Sequence, residues 1–158
     1  MRSSSVSDRG EPVQFTVSRP DLSETIPRDF TCDGANRAPR LEWSEPPAET
    51  RELAIEILDH DASCGTFTHW LVYGVPAESS GLARPLPAGV VEGTNDFGHR
   101  GYGGPCPPRG PAHHYHISVL ALDSKLVLPA GLRRAELESK LRNHVLGRAE
   151  LVATYKRA

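Results

Sequence analysis

Three stretches of the chain alternate apolar and polar residues with the period of two that places alternate side chains on opposite faces of a β-strand. Glu52–Asp59 (ELAIEILD) and Phe67–Val75 (FTHWLVYGV) each keep one predominantly apolar face. His113–Asp123 (HHYHISVLALD) becomes apolar on both faces toward its end, which is typical of a central strand. Weaker patterns predict two more strands, Pro12–Val17 and Ala149–Tyr155.

A different spacing marks the segment Leu132–Leu146. Leu137, Leu141 and Val145 recur at i, i+4 and i+8, with charged residues between them. This pattern predicts one C-terminal helix over about 132–146. Gly147 stands where a helix-ending C′ glycine is expected, whereas no Ser, Thr, Asp or Asn occupies the expected N-cap.

The remaining segments are rich in turn-forming residues. Asp29–Leu41 is predicted as a loop with a short strand around Phe30, and Ser79–Gly104 as mostly loop. Residues 1–11 predict a disordered tail, followed by one domain over 12–158. Strands with turn signals dominate, so the fold class is mainly β, a sandwich of sheets with one late helix.

Composition and charge narrow the partners. The 158 residues carry a formal net charge of −2, which argues against broad binding to nucleic acid or to an anionic membrane surface. No apolar run is long enough for a membrane span, and residues 1–10 have no signal-peptide pattern. Three cysteines cannot all pair within one chain, and no CxxC occurs, so we expect a reducing cytoplasm.

Polar side chains collect in three segments. Asp59-His60-Asp61 ends an apolar strand, and His69 interrupts the apolar pattern of the next one. If these strands form a hairpin, Asp59 and His69 can face each other near its loop end. Each feature also has a simpler explanation, because Asp favours turns and a histidine in a sheet is commonly a core residue.

The third segment is Gly98–Tyr115, which contains five Gly, four Pro and three His. Consecutive backbone N–H groups in such a loop can form an anion-binding nest, and His113 and Tyr115 can donate to the same anion. A surface loop whose Gly and Pro serve only its geometry is the alternative. Long loops tend to be functional, which favours a site.

Two enzymatic readings remain open. Asp59, Asp61, His69, His113, His114 and His116 are possible metal ligands, although His113 and Tyr115 project opposite to His114 and His116. Cys106, between Pro105 and Pro107, is a possible nucleophile for a cytosolic hydrolase, or a bystander thiol. No HExxH, GxSxG or phosphate-loop motif occurs, and neither a metal nor a cofactor is expected.

Several motifs in a fixed order resemble the phosphatidylethanolamine-binding protein family, in particular its bacterial Raf-kinase-inhibitor-like branch. The matching stretches are Asn36–Trp43 (NRAPRLEW), Asp59–Ala62 (DHDA), Gly65–Trp70 (GTFTHW), Gly93–Gly98 (GTNDFG), Gly101–Pro108 (GYGGPCPP), His113–Tyr115 (HHY), Ala121–Asp123, His144–Leu146 and Ala149–Leu151 before Tyr155. The sequence departs from the family pattern at His60, Ser63, His114 and Asn143.

The resemblance implies a large antiparallel sheet packed on a smaller one, and a pocket that holds phosphate, acetate or a phospholipid headgroup. By the same resemblance, the ligand-binding residues are Asp59, Phe67, His69, Gly104, Pro105, Pro107, Pro108, His113 and Tyr115. We expect Asp59 to hold His69 or His113 in the charged or correct tautomeric form, because a carboxylate next to an anion must be offset.

The resulting hypothesis is a non-catalytic binding protein for a phosphoryl or carboxylate group on a lipid headgroup, a nucleotide or a phosphorylated partner. Family members suggest a kinase or protease partner, and bacterial relatives suggest a homodimer. An interaction module without a ligand is an alternative, with Trp43 or Phe97 as contact residues if they are not part of the core.

Overall fold

The larger of two antiparallel sheets is built around one long hairpin, which spans Glu52–Ala62 and Gly65–Pro76. The computed structural model describes residues 15–18 and 22–157. Within them the strands are β1 (Val17–Ser18), β2 (Leu41–Trp43), β3 (Glu52–Ala62), β4 (Gly65–Pro76), β5 (Gly81–Leu82), β6 (Val91–Glu92), β7 (His113–Leu122) and β8 (Val145–Tyr155), with helix α1 at Arg134–Leu141. The larger sheet has the order β6-β4-β3-β7-β8 and the smaller the order β1-β2-β5. The predicted fold class, a large sheet on a small one with a late helix, is confirmed.

Two apolar layers cover the two faces of the larger sheet. One lies against the smaller sheet, where Leu41 and Trp43 of β2 pack on Ile55, Trp70 and other strand residues. The second lies under α1, where Leu137 and Leu141 pack on Leu71 and Leu120. Because β7 pairs with β3 on one side and β8 on the other, its later residues are buried on both faces, as the sequence predicts.

The C-terminal helix is shorter than the pattern 132–146 predicts. It ends at Leu141, and Asn143 adopts a positive φ of 70° in place of the expected turn at Gly147. Val145 and Gly147 belong to β8 and pair with Leu122 and Ala121. At the other end, the Glu136 carboxylate accepts a hydrogen bond from the Arg133 N–H at 3.0 Å, which compensates for the missing N-cap side chain.

Two further predictions of local structure need correction. The strand predicted around Phe30 is a 3-10 helix, Arg28–Phe30. In it the Phe30 N–H donates to the Pro27 carbonyl, and the Thr31 N–H donates to the Arg28 carbonyl. The strand predicted for Pro12–Val17 is limited to Val17–Ser18 among the described residues. The predicted tail, residues 1–11, lies outside the described residues.

A disulfide joins Cys32, just after the 3-10 helix, to Cys106 in the Gly/Pro-rich loop. Cys64 is free and exposed. The expectation of a free Cys106 thiol is therefore wrong. The pairing was not visible in the sequence because it closes a separation of 74 residues between two loops.

Removing this disulfide is expected to lower stability measurably. A double Cys32→Ser and Cys106→Ser variant loses about 2–4 kcal/mol of unfolding free energy, because the cross-link restricts the unfolded chain. Guanidinium unfolding without reductant measures the loss. Cys64→Ser is the matched control and should unfold like the parent. Equal stability of the double variant and the parent would contradict the expectation.

Candidate functional site

A cavity of about 220 Å³ opens at the loop end of the β3–β4 hairpin. The strands supply its floor, which consists of Asp59, Phe67, His69, His113 and Tyr115. Its rim consists of the hairpin tip Ala62–Cys64, Phe97 and the loop segment Cys106–Pro108. Thus seven of the nine residues expected to bind a ligand lie around one cavity.

Strand register explains why the floor residues meet. Phe67, Asp59 and Tyr115 are direct partners across β4, β3 and β7, so they form one row on one face of the sheet. His113 follows two residues away from Tyr115 on the same face. His69 is the extra residue of β4 at an irregularity in its pairing with β3, between the pairs Leu58–Thr68 and Ile57–Trp70. The predicted hairpin therefore brings together side chains that are up to 56 positions apart in sequence.

The carboxylate of Asp59 is fully engaged by the protein. One oxygen lies 2.7 Å from Nδ1 of His113, and the other accepts the Asp61 N–H at 2.8 Å. Asp59 is buried and His113 is nearly so. Of the two partners considered for Asp59, the geometry selects His113. This leaves Nε2 of His113 as the ring nitrogen available to a ligand.

His69 has a different environment. Its Nδ1–H donates to the carbonyl of Gly103 at 2.7 Å, and the Gly103 N–H donates back to the His69 carbonyl at 3.0 Å. Burial lowers the pKa of His69, and this outweighs the opposing hydrogen bond to Gly103 and the charge of Asp59. This direction favours a neutral His69, in which the bond to Gly103 leaves the Nε2 lone pair as an acceptor.

Tyr115 is the unusual member of the floor. Its side chain is fully buried, and its hydroxyl has no hydrogen-bond partner among the described residues. Burial raises the pKa of Tyr115, so the phenol keeps its proton. The ring contacts that of His69 edge-on at 5.2 Å between centroids. A buried, unpaired hydroxyl costs free energy, which a ligand oxygen or a water can recover.

The Gly/Pro-rich loop forms a wall rather than a nest of donors. The amides of Gly103 and Gly104 already donate to the His69 carbonyl and, at 2.8 Å, to Oδ1 of Asn36. Proline has no N–H, which leaves Cys106 as the one remaining backbone donor of 103–108. The predicted nest is therefore wrong. Gly104 and Pro105 lie behind the wall, where the Pro105 carbonyl accepts the Cys32 N–H.

Sequence reasoning did not assign Phe97, Cys64 or Cys106 to the binding surface. Phe97 is positioned by Asn95, whose Oδ1 accepts the N–H groups of Phe97 and His99. The Phe97 ring packs edge-on against Phe67 and His69. Phe97 is 43% exposed, because its ring lies at the rim of the cavity rather than in the core.

The alternative sites are not assembled. Among the described residues, no group of three or more His, Cys, Asp or Glu is arranged to hold a metal ion. His114 instead pairs with Asp61 at 2.8 Å, and His116 lies 3.6 Å from Glu150. Cys106 is held in a disulfide and carries no free thiol. In the part of the chain that the structure describes, no helix is long and apolar enough to span a membrane.

Comparison with known proteins identifies the class. The family model described as phosphatidylethanolamine-binding protein matches residues 16–156, so the chain belongs to that family. A UPF0098 protein of Aquifex aeolicus is 41% identical over 141 residues, covering 85% of this chain and 82% of that protein.

Two solved structures share the fold. The crystal structure of Escherichia coli YbcL, described as a member of the mammalian PEBP family, superposes with a TM-score of 0.86 at 30% identity and covers 91% of this chain and 99% of that chain. The PEBP homolog CT736 of Chlamydia trachomatis gives a TM-score of 0.84 at 30% identity, covering 91% and 98%.

Proposed function

We propose that this chain is a binding protein whose cavity holds one phosphoryl or carboxylate group. The buried, unpaired hydroxyl of Tyr115 carries the proposal. Tyr115 belongs to the same cavity floor as the Asp59–His113 pair. Two donors, the Tyr115 O–H and the Nε2–H of a protonated His113, would then serve one anionic oxygen. Membership in a binding family supports the same function.

The charges around the cavity restrict the ligand to a low charge. Among the described residues that line it there is no Lys or Arg, and their one carboxylate is already paired with His113. A protonated His113 and Asp59 together are neutral, so the charge of a ligand is not compensated and a dianion is less favourable than a monoanion. The best ligands are therefore monoanions: a phosphodiester, a singly protonated phosphate ester or a carboxylate. A lipid headgroup, a nucleotide or a phosphorylated partner can supply such a group.

Other parts of the hypothesis stay predictions. A kinase or protease partner, a homodimer and a non-enzymatic role rest on the family alone. The cytoplasmic location rests on the sequence, where the cysteine pattern led us to expect a reducing environment. The Cys32–Cys106 disulfide weighs against that expectation, because disulfides are rare in reducing compartments.

Binding is expected to weaken as pH rises from acid to neutral, because the proposed Nε2–H donor exists only on a protonated imidazole. Calorimetric titration with methyl phosphate and dimethyl phosphate separates the effect of ionisation in the protein from that of ionisation in the ligand. The diester keeps one charge throughout, so its loss of affinity reports on the protein alone, whereas the monoester also gains a second charge. Unchanged affinity for the diester would contradict the role of His113.

Tyr115→Phe tests the site directly. Deleting the hydroxyl is expected to weaken dimethyl phosphate binding by about tenfold or more, since a hydrogen bond to a charged group contributes about 1.5–3 kcal/mol. Tyr73→Phe is the matched control, because the Tyr73 hydroxyl bonds the Pro129 carbonyl outside the cavity. Equal affinity of the Tyr115→Phe variant and the parent would overturn the proposed function.

A further inference from the structure

Two of the three cysteines line the proposed binding cavity, and the third is bonded to one of them. Cys106 is exposed, lines the cavity and carries the disulfide to Cys32. Cys64 lies on the hairpin tip at the same cavity, with a free and exposed side chain. A cavity of only about 220 Å³ therefore has a thiol on one part of its rim and a disulfide on another.

The turn that carries Cys64 projects beyond the last contacts of the hairpin, which include the His60–Thr66 side-chain hydrogen bond and the Ala62–Gly65 pair. Ser63, Cys64 and Gly65 are exposed, and no atom lies within 4 Å of the place where a Cβ on Gly65 would stand. Pairing between β3 and β4 is irregular from Asp59 to Ala62, so the ladder does not hold the tip in strict register. A displacement of the tip breaks little buried structure.

From this arrangement we infer that Cys64 is the exchange partner of the Cys32–Cys106 disulfide. The Cys64 thiolate, having released its proton to water, attacks Sγ of Cys106. A Cys64–Cys106 bond forms, the Cys32–Cys106 bond breaks, and Cys32 leaves as a thiolate that takes up a proton from water. One disulfide and one thiol are present before and after, so the step needs no external oxidant or reductant.

Accessibility decides which sulfur is attacked. Cys106 is exposed and lines the cavity that Cys64 shares. Cys32 is only partly exposed and does not line it, and its backbone N–H is held by the Pro105 carbonyl. Exchange rates depend on access to the attacked sulfur as well as on the thiolate. Attack at Cys106 is therefore the favoured route.

The exchange has a consequence for ligand binding, which rests on the proposed function. A disulfide requires Cα atoms about 4.4–6.8 Å apart. A Cys64–Cys106 bond would therefore draw the hairpin tip onto the Cys106–Pro108 wall and cross the mouth of the cavity. The two disulfide isomers would correspond to an open and a closed cavity.

Differential alkylation of the parent chain tests the exchange itself. Protein purified without reductant is incubated at about pH 8.5, where more thiolate is present, then quenched with acid and alkylated with N-ethylmaleimide. Peptide mass spectrometry is expected to find the label on Cys64 at first, and later also on Cys32, together with a Cys64–Cys106 linked peptide. Label confined to Cys64 after overnight incubation would overturn the inference.

Variants separate the exchange from the binding function. Cys32→Ser, oxidised with glutathione disulfide, is expected to form the Cys64–Cys106 bond, lose dimethyl phosphate binding and regain it with dithiothreitol. Cys64→Ser is the control, in which binding should not respond to incubation at high pH. If the bond forms but binding persists, the closing role is wrong. If the parent binds dimethyl phosphate and no such bond forms in either protein, the exchange alone fails.

A remaining outcome concerns the function rather than the thiols. If the parent forms the Cys64–Cys106 peptide while no protein binds dimethyl phosphate or methyl phosphate, the exchange stands and the proposed function fails. The two inferences are thus distinguishable by one set of samples.

Discussion

Gly104→Ala is expected to lower the free energy of unfolding by more than about 4 kcal/mol, in the range reserved for severe core lesions. A Cβ at this position would collide with the backbone carbonyl of Phe30 and would lie 2.5 Å from Oδ1 of Asn36. The first neighbour is backbone and cannot rotate away. Moving the wall also breaks the bond from the Gly104 N–H to Asn36.

Urea unfolding measures this loss, and dimethyl phosphate titration is expected to fail in any folded remainder because the wall is displaced. Gly98→Ala is a useful control. Its φ of 87° disfavours alanine, but no atom lies within 4 Å of the added Cβ. It should therefore cost only about 1–2 kcal/mol. A Gly104→Ala variant no less stable than the Gly98→Ala variant would show that the wall tolerates the extra atom.

Glu56→Gln is expected to stabilise the protein at neutral and alkaline pH. Glu56 is 1% exposed on β3 and faces Glu138 of α1. Burial, and next the hydrogen bond and repulsion from Glu138, raise its pKa from 4.5 to about 8, against smaller opposing effects of Arg148 and Arg134. Because the folded state favours the protonated carboxyl, stability is full below about pH 4.5 and declines as pH rises toward 8.

The size of this loss of unfolding free energy follows from the pKa shift of Glu56. At about 1.36 kcal/mol per pKa unit, the difference between 4.5 and about 8 corresponds to a loss of up to about 5 kcal/mol. A glutamine does not ionise and can still donate to Glu138. Unfolding free energies between about pH 4.5 and 8 should therefore diverge, with the variant more stable at the alkaline end.

Glu42→Gln, an exposed position on the smaller sheet, is the control and should follow the parent at every pH. Parallel curves for the parent and Glu56→Gln would contradict the buried-carboxyl account. Differential scanning calorimetry at each pH gives an independent measure of the same divergence.

Local alternation was enough to predict the central strands. In β7 the two faces follow the parity of the residues. In β4 the irregular pairing with β3 changes the parity, so that Phe67 shares the face of Trp70 rather than that of Leu71. The helix was overextended because Val145 continues the i, i+4 spacing. In the structure Val145 pairs with Leu122 on β7, and this long-range contact outweighs the local helical pattern.

The candidate site, too, could be predicted from the sequence only in part. Asp59, His69, His113 and Tyr115 were grouped from their motifs, and strand register places them around one cavity. The roles within the group depend on contacts that spacing does not encode. Pairing of Asp59 with His113, burial of His69 and the engaged amides of Gly103 and Gly104 all arise from tertiary packing.

The absence of Lys and Arg from the cavity lining affects what the protein can distinguish. A site built on fixed cations ranks anions by their charge and favours the most highly charged one. A site whose single ion pair is neutral overall reverses this order, because every charge of the ligand remains uncompensated after dehydration. If the cavity binds the anion proposed above, it would favour a capped phosphate over a terminal one. The protein would then distinguish a phosphate monoester from a diester, largely independently of the concentration of free phosphate.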